Sequence, residues 1–354
     1  MSPFRLLYRN DLLRKLLIPA LTVAAVLIVL RLMLGLASQQ PIARTPSLSP
    51  LVEPASGAQQ VIVGFYPINV YSLEMVSNTY YVDTYVWFRW KGEINPTENL
   101  EFSNAVEEWG MTQQSGYEEP KKLPSGEWYQ IIRVEGRFFQ PFELARYPLD
   151  QQRLSIQIEN SIHTSKELVY LVDMKDSGYP DTLSIQGWKL DGWQARNLLH
   201  TYDTRFGEPQ SGRQEAYSSV QYELDISRPL SYFLWKLLLP LVIVLVSGWG
   251  AMLTHPRYVD TRTATASAAL LTTVFLQQAY SYNLPEVGYL VLLDKIYALA
   301  YLLIIAAIME TIITADWVAN DKEEEYERVR RLDTPFLICQ CVALVLGVAL
   351  LVAM

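Results

Sequence analysis

The chain has 354 residues, half of them apolar, and a formal charge of −8. The apolar surplus sits in residues 16–37 and from residue 230 onward, so the sequence divides into a mainly polar half and a membrane half. The polar half, residues 52–227, carries 14 Lys and Arg against 25 Asp and Glu, which excludes a nucleic-acid-binding role and raises the local concentration of cations.

Residues 1–17 hold Arg5, Arg9, Arg14 and Lys15 against one Asp, and an apolar run from Leu16 to Ala37 follows, broken by Arg31. Residues 1–37 read as a signal peptide, with Leu36-Ala37-Ser38 as a cleavage candidate, or as an uncleaved signal-anchor helix. In either case the basic flank keeps the N-terminus in the cytoplasm and sends the next segment across the membrane. Residues 38–60, rich in Pro, Ser, Ala and Gln, read as a disordered linker.

From Val61 the pattern becomes β. Val61–Leu73 and Tyr80–Trp90 alternate apolar and polar residues and are dense in Val, Ile, Tyr, Phe and Trp. Trp128–Arg137, Arg153–Glu159, Glu167–Asp173, Leu183–Asn197 and Tyr217–Ile226 are further strand candidates, separated by Gly- and Pro-rich punctuation. Short strands at this spacing predict an all-β sandwich over 61–227. Gln113–Glu127 is polar and reads as a long loop, and Asn104–Met111 as a short helical turn or an irregular strand.

Four apolar spans follow within 228–354, at about 230–252, 261–282, 287–314 and 335–354. His255, Arg257 and Arg262 place the first turn inside the cell. A charged helix, Asp321–Leu332, with Glu324/Arg328 and Glu327/Arg331 at i,i+4 spacing, joins the last two spans. The expected fold is therefore an extracellular β-sandwich followed by a four-helix transmembrane bundle, with the β domain and the C-terminus both outside. Both cysteines, Cys339 and Cys341, lie in the last span, so the β domain has no disulfide.

The second span differs from a lipid-facing helix. On a 3.6-residue period one face reads Asp260, Ala264, Ala268 with Ser267 beside it, Leu271, Phe275, Gln278 and Tyr282. Several copies around an axis would place an acidic ring at one end, small residues next, then an apolar belt able to close a pore by dewetting. The same Ser, Thr and Ala content also suits a helix that merely packs closely against its neighbours.

These features together resemble a prokaryotic pentameric ligand-gated ion channel, a Cys-loop superfamily member without the disulfide, over residues 60–354. Tyr147-Pro148-Leu149-Asp150 matches the family's aromatic-Pro-x-Asp turn, and the positions of the flanking cysteines are Gln140 and Leu154. The hairpin around Glu74, Gly187-Trp188, the Arg228-Pro229 junction, Pro240 and Asn283-Leu-Pro285 also match. An ungapped count from Pro285 puts Leu271 on the mid-pore leucine, Arg262 on the basic residue at the inner end and Asp260 in the acidic ring. The resemblance implies a homopentamer in a bacterial inner membrane, with permeant cations and no cofactor. It also implies a small ligand, whose class stays open between an organic molecule, a divalent ion and a proton.

On this reading Asp260 is the selectivity ring, and Ala264, Ala268, Leu271, Phe275 and Gln278 line the pore. Leu271 and Phe275 form the hydrophobic gate. Glu74, Tyr147, Pro148, Asp150 and Arg228 couple the β domain to the pore. The alternatives are a helix-terminal acid favouring the dipole for Asp260, helix packing for the belt, and separate surface charges for Asp150 and Arg228. Asp294, Lys295 and Glu310 read as interfacial charges near the ends of the third span, with a functional role for charges at membrane depth as the alternative. Arg133, Tyr202, Phe206 and Tyr217 form a candidate ligand pocket, with ordinary core and surface aromatics as the alternative. The Trp-x-Pro element of the family's agonist pocket is missing between Trp90 and Tyr147.

No enzyme motif is present: there is no His-Glu-x-x-His, Gly-x-Ser-x-Gly, Walker lysine or Gly-x-Gly-x-x-Gly. A membrane-anchored sensory protein without conductance is the main rival. A secondary transporter is disfavoured by the lack of an internal repeat.

Overall fold

The computed structural model describes residues 48–353 apart from 52–53, 55, 205–206, 208–215, 319 and 321, together with Ile28 and Arg31. Apart from Ile28 and Arg31, the N-terminal apolar segment lies outside the described residues, as does Phe206. The chain forms two compact units. One is built of strands and ends at Pro229, with Leu144–Leu149 excluded; the other comprises Leu144–Leu149 and the helices from Leu230 onward.

Among the described residues the β unit has twelve strands: β1 (Leu48–Pro50), β2 (Gln59–Glu74), β3 (Thr79–Trp90), β4 (Leu100–Phe102), β5 (Ala105–Val106), β6 (Thr112–Ser115), β7 (Lys121–Lys122), β8 (Trp128–Phe139), β9 (Gln151–Asn160), β10 (Leu168–Val172), β11 (Lys189–Thr201) and β12 (Ala216–Ser227). They make two sheets, ordered β1-β11-β12-β9-β4 and β10-β2-β3-β8-β5, with β6 and β7 also paired to β8. Alternation in sequence becomes alternation in burial: Val82, Val86 and Phe88 face inward while Tyr81, Tyr85 and Trp87 face outward. Phe65 of one sheet stacks on Tyr222 of the other at 5.3 Å, and Phe102 meets Phe138 edge-on.

Several expectations are corrected here. Leu48–Pro50, expected in the linker, is a strand paired with Leu198–His200. The loop expected at Gln113–Glu127 contains β6 and β7, both held by β8. Asn104–Met111 resolves into the short strand β5 and a helical turn at Glu108–Gly110. The strand expected from Leu183 starts at Lys189, because Ile185–Trp188 closes a tight turn around Gly187 at φ +82.

The helical unit holds α1 (Leu239–Leu253), entered through a π-helical turn at Tyr232–Leu238, α2 (Val259–Ser281), α3 (Leu292–Ala315) and α4 (Glu323–Ala353). Pro240 offers no N–H for an i→i−4 bond, and the Leu239 N–H reaches back to the Leu234 carbonyl instead. Three of the helical segments, Tyr232–Leu253, Leu292–Val318 and Glu323–Ala353, are long and apolar enough to cross a membrane. α2 is not among them, because Thr, Ser and Gln lower its hydropathy.

Two helix boundaries differ from expectation. The third span begins at Leu292 rather than 287, because the Asp294 carboxylate accepts the Val291 N–H and fixes the helix start there. The charged 321–332 segment and the last span are one helix, with Pro335 inside it. α1 and α2 approach closely: a Cβ on Gly248 would lie 2.8 Å from that of Ala269.

Candidate functional site

In α2 one face is buried, and the predicted stripe lies outside it. Arg262, Ala266, Ala269, Thr273 and Tyr280 are buried against the other helices. Asp260, Ala264, Ser267, Ala268, Leu271, Phe275, Gln278 and Tyr282 are all exposed. Leu271 and Phe275, large apolar side chains in the middle of the helix, stand 58 % and 60 % exposed. The hydroxyls of Thr265 and Thr272 bond back to carbonyls four residues earlier, which removes their polarity from the helix surface.

Arg262 departs from the sequence reading. It was expected at the inner mouth beside Asp260, but it is only 2 % exposed and points into the helical unit. Its Nη2 donates to Asp333 Oδ1 of α4 at 2.7 Å and to Glu310 Oε2 of α3 at 3.2 Å. Glu310 is thereby buried within an ion cluster rather than held at an interface, as the sequence led us to expect. Asp260 keeps its place on the exposed face, so the two charges at this end of α2 are separated by the helix itself.

At the other end of α2, the loop Leu144–Leu149 docks on the helices. Tyr147 is buried, and its ring stacks on Tyr280 at 6.4 Å. The Leu292 and Leu293 N–H groups, unpaired within α3, donate to the Ala145 and Tyr147 carbonyls at 3.0 and 3.1 Å. The Tyr280 hydroxyl donates to Asp294 Oδ1. Pro148 follows Tyr147 through a cis peptide bond and is buried.

Within the β unit Asp150 and Arg228 form a charged pair. Arg228 Nε donates to Asp150 Oδ1 at 2.7 Å, with the side chains 8 % and 1 % exposed. The guanidinium lies 4.1 Å from the Trp188 ring centroid, and Nη2 reaches Met75 Sδ at 2.9 Å. Gln152 Nε2 donates to Asp150 Oδ2 at 2.7 Å. Glu74 does not join this set. The β2 register shifts between Tyr71 and Glu74, and the turned hairpin puts Met75 against Arg228 while Glu74 accepts from Ser77 Oγ.

The candidate ligand residues divide between the sheets. Tyr202 and Tyr217 meet edge-on at 5.8 Å, and the Tyr202 hydroxyl donates to the buried Glu159, which also bonds His200 Nδ1 at 3.0 Å. Burial and the Glu159 carboxylate push the Tyr202 phenol well above its ordinary value. Arg133 lies on β8 of the other sheet, where its Nε and Nη2 close a two-point pair on Asp83 at 3.0 and 2.7 Å.

The outer face of the β2-β3-β8 sheet carries a feature that sequence reading missed. An open pocket of about 500 Å³ is walled by Tyr66, Tyr85, Trp87, Tyr117 and Tyr129, with Arg89, Lys121 and Asp176 at its edges. Gly64 makes room for the Trp87 indole, since a Cβ there would lie 2.1 Å from it. Trp87 Nε1 and Arg89 both donate to Asp173, at 3.2 and 2.8 Å. Burial raises the Asp173 carboxyl, but these donors and the Asp176 N–H outweigh it and hold it below its ordinary value. The alternation of aromatics in Tyr85–Arg89 was the available signal. Among the described residues no group of three or more His, Cys, Asp or Glu converges as for a metal ion.

No family model matches the chain. It is 22 % identical over 274 residues to a proton-gated ion channel of Gloeobacter violaceus, covering 72 % of each chain. It is 26 % identical over 172 residues to a glutamate-gated chloride channel subunit beta of Haemonchus contortus, covering 48 % of this chain and 38 % of that one. A gamma-aminobutyric acid receptor subunit beta of Lymnaea stagnalis is 20 % identical over 171 residues, covering 48 % and 32 %. The chain thus spans about a third of the length of these animal subunits, and most of the bacterial channel.

Proposed function

Because this chain belongs to the Cys-loop superfamily of ligand-gated ion channels, we propose that it forms a gated, cation-preferring channel as a homopentamer whose α2 helices line the pore. The observation that carries this reading is the exposed stripe on α2. That face mixes Asp260, Ser267 and Gln278 with its apolar residues, a combination unsuited to lipid, and copies of the same face around a water-filled axis suit it. In that arrangement Leu271 and Phe275 form a narrow dewetting belt, with Ala264 and Ala268 below it and Gln278 above.

Selectivity follows from which charge stays on that face. Two of the relatives are named as chloride channels or receptors for gamma-aminobutyric acid, so the superfamily alone does not fix the sign. In this chain Arg262 is turned inward and neutralised by Glu310 and Asp333, which leaves the Asp260 carboxylate to set the potential at the inner mouth. Gating begins in the β unit, on the extracytoplasmic side of a bacterial inner membrane, with four membrane helices and an extracytoplasmic C-terminus. Two paired residues flank the places where the chain passes between the units, Asp150 directly after the Leu144–Leu149 segment and Arg228 two residues before Leu230, so a twist of the β unit pulls on both connections.

The ligand class stays open between a proton, as for the Gloeobacter relative, a divalent ion and a small organic molecule. For an organic ligand the pocket at Trp87 offers aromatic faces with charges of both signs at the rim, whereas Arg133 is already engaged by Asp83. Single-channel recording of the purified protein in a bilayer, under asymmetric salt and across pH values, divalent ions, amines and acids, tests the whole reading. Stimulated currents reversing near the cation potential are expected. A silent protein under every condition would instead favour a membrane-anchored sensor.

A further inference from the structure

The Arg262, Glu310 and Asp333 cluster is not used by the permeation path itself, yet it is the most tightly enclosed set of charges in the helical unit. All three side chains are buried, and the two carboxylates converge on a single nitrogen, Arg262 Nη2. Arg262 Nε, Glu310 Oε1 and Asp333 Oδ2 have no hydrogen-bond partner among the described residues. The nearby hydroxyls are spent elsewhere: Thr311 donates to the Ile308 carbonyl and Thr314 to that of Glu310. The crevice beside the guanidinium, closed by Pro256, Val259, Val318 and Val329, is too tight for a water molecule. Arg330, one turn from Asp333, pairs at the surface with Glu327.

The cluster joins three helices that are distant in sequence. Arg262 sits on α2, Glu310 on α3 and Asp333 on α4. On an α-helix, residues two apart point about 200° apart. Holding Arg262 inward therefore turns both Asp260 and Ala264 outward. A helix rich in Thr, Ser and Ala has few large side chains to fix its rotation, so one anchored guanidinium decides which residues face the axis.

We propose that Arg262 is a positioning residue for the pore, latched by Glu310 and Asp333, and that through this latch the outer helix α4 controls the rotation of the inner half of α2. The proposal rests on the channel reading for its consequence but not for its geometry. The latch is asymmetric. Asp333 holds the shorter bond, and one carboxylate suffices to balance the guanidinium, so losing one acid loosens the latch without stranding a charge. Losing Arg262 strands two carboxylates in a dry interior.

Thiol accessibility tests this on the full-length protein in lipid vesicles, with Cys339→Ser and Cys341→Ser as background. A cysteine is placed at Ala264 or at the buried Ala266, and its reaction with a charged, water-soluble thiol reagent is timed. Adding Asp333→Asn is expected to slow Ala264→Cys and speed Ala266→Cys, each about tenfold, as α2 rotates. Asp333→Glu is expected to restore both rates at least in part. Arg262→Gln is expected to lose assembled protein, and Arg262→Gln with Glu310→Gln and Asp333→Asn to recover it.

Unchanged rates in both Asp333→Asn and Glu310→Gln would overturn the latch, and so would slowing or speeding of both positions together, which signals loosening rather than rotation. The rates are read without current. A protein that never conducts but shows the opposed changes keeps the latch and loses the channel reading; one that conducts with unchanged rates does the reverse.

Discussion

The Asp150–Arg228 pair gives the most decisive test of how the β unit is held where its chain leaves it. The two side chains are almost fully buried and bonded at 2.7 Å, with the Arg228 guanidinium over Trp188 and Gln152 on the second Asp150 oxygen. Asp150→Ala removes the carboxylate that balances a buried guanidinium, which costs about 3–5 kcal/mol. Asp150→Asn keeps the shape but has one acceptor for two donors. In either amide orientation its NH2 group faces Arg228 or Gln152, so the loss is still about 2–3 kcal/mol.

Arg228→Met strands the carboxylate with Gln152 alone and costs about as much as Asp150→Ala. The pair removed together, Asp150→Ala with Arg228→Met, should cost less than the two single changes summed, giving a coupling energy of at least about 2 kcal/mol. Unfolding of the purified protein in detergent, followed by tryptophan emission, reads these differences, because Trp188 lies beneath the guanidinium. For a domain of this size the single losses correspond to a midpoint drop of roughly 6–20 °C. Single changes that add to the double within about 0.5 kcal/mol would refute the reasoning.

Three further outcomes follow from the geometry. Leu271→Thr should wet the apolar belt and yield current without stimulus, raising the resting open probability at least about tenfold, as read in bilayer recordings. Asp260→Lys should move the reversal potential in asymmetric salt towards the anion value, changing the cation-to-anion permeability ratio by at least about tenfold. Asp173 has a carboxyl held below its ordinary value, so its contribution to stability is present above the unfolded-state value and disappears as pH falls through the folded one. Asp173→Asn should therefore cost about 1–2 kcal/mol at pH 7 and flatten the acid limb below about pH 4, measured by denaturant unfolding across pH.

Local pattern carried much of this protein. Alternation at Val61–Leu73 and Tyr80–Trp90 marked most of the residues that face the sandwich core, because a strand has only two faces and apolar side chains take the dry one. The 3.6-residue period picked out the exposed stripe of α2 down to Leu271 and Phe275, and the spacing of four apolar runs placed the helices. Tyr147 to Asp150 and Arg228 were legible as a charged and aromatic set near a boundary.

Only tertiary structure decided where the long-range partners lie. No spacing rule pairs Arg262 with residues 48 and 71 positions away, and a positive side chain at a helix end reads as exposed until neighbouring helices close over it. The β2 hairpin exchanged Glu74 for Met75 beside Arg228 because a register shift turns side chains over, and a shift of that kind depends on the partner strand. The aromatic pocket needed three strands and a loop to meet at Gly64 and Trp87. Periodicity records which way a residue points along its own element; what it points at is set by packing between elements, which the sequence does not write in any local form.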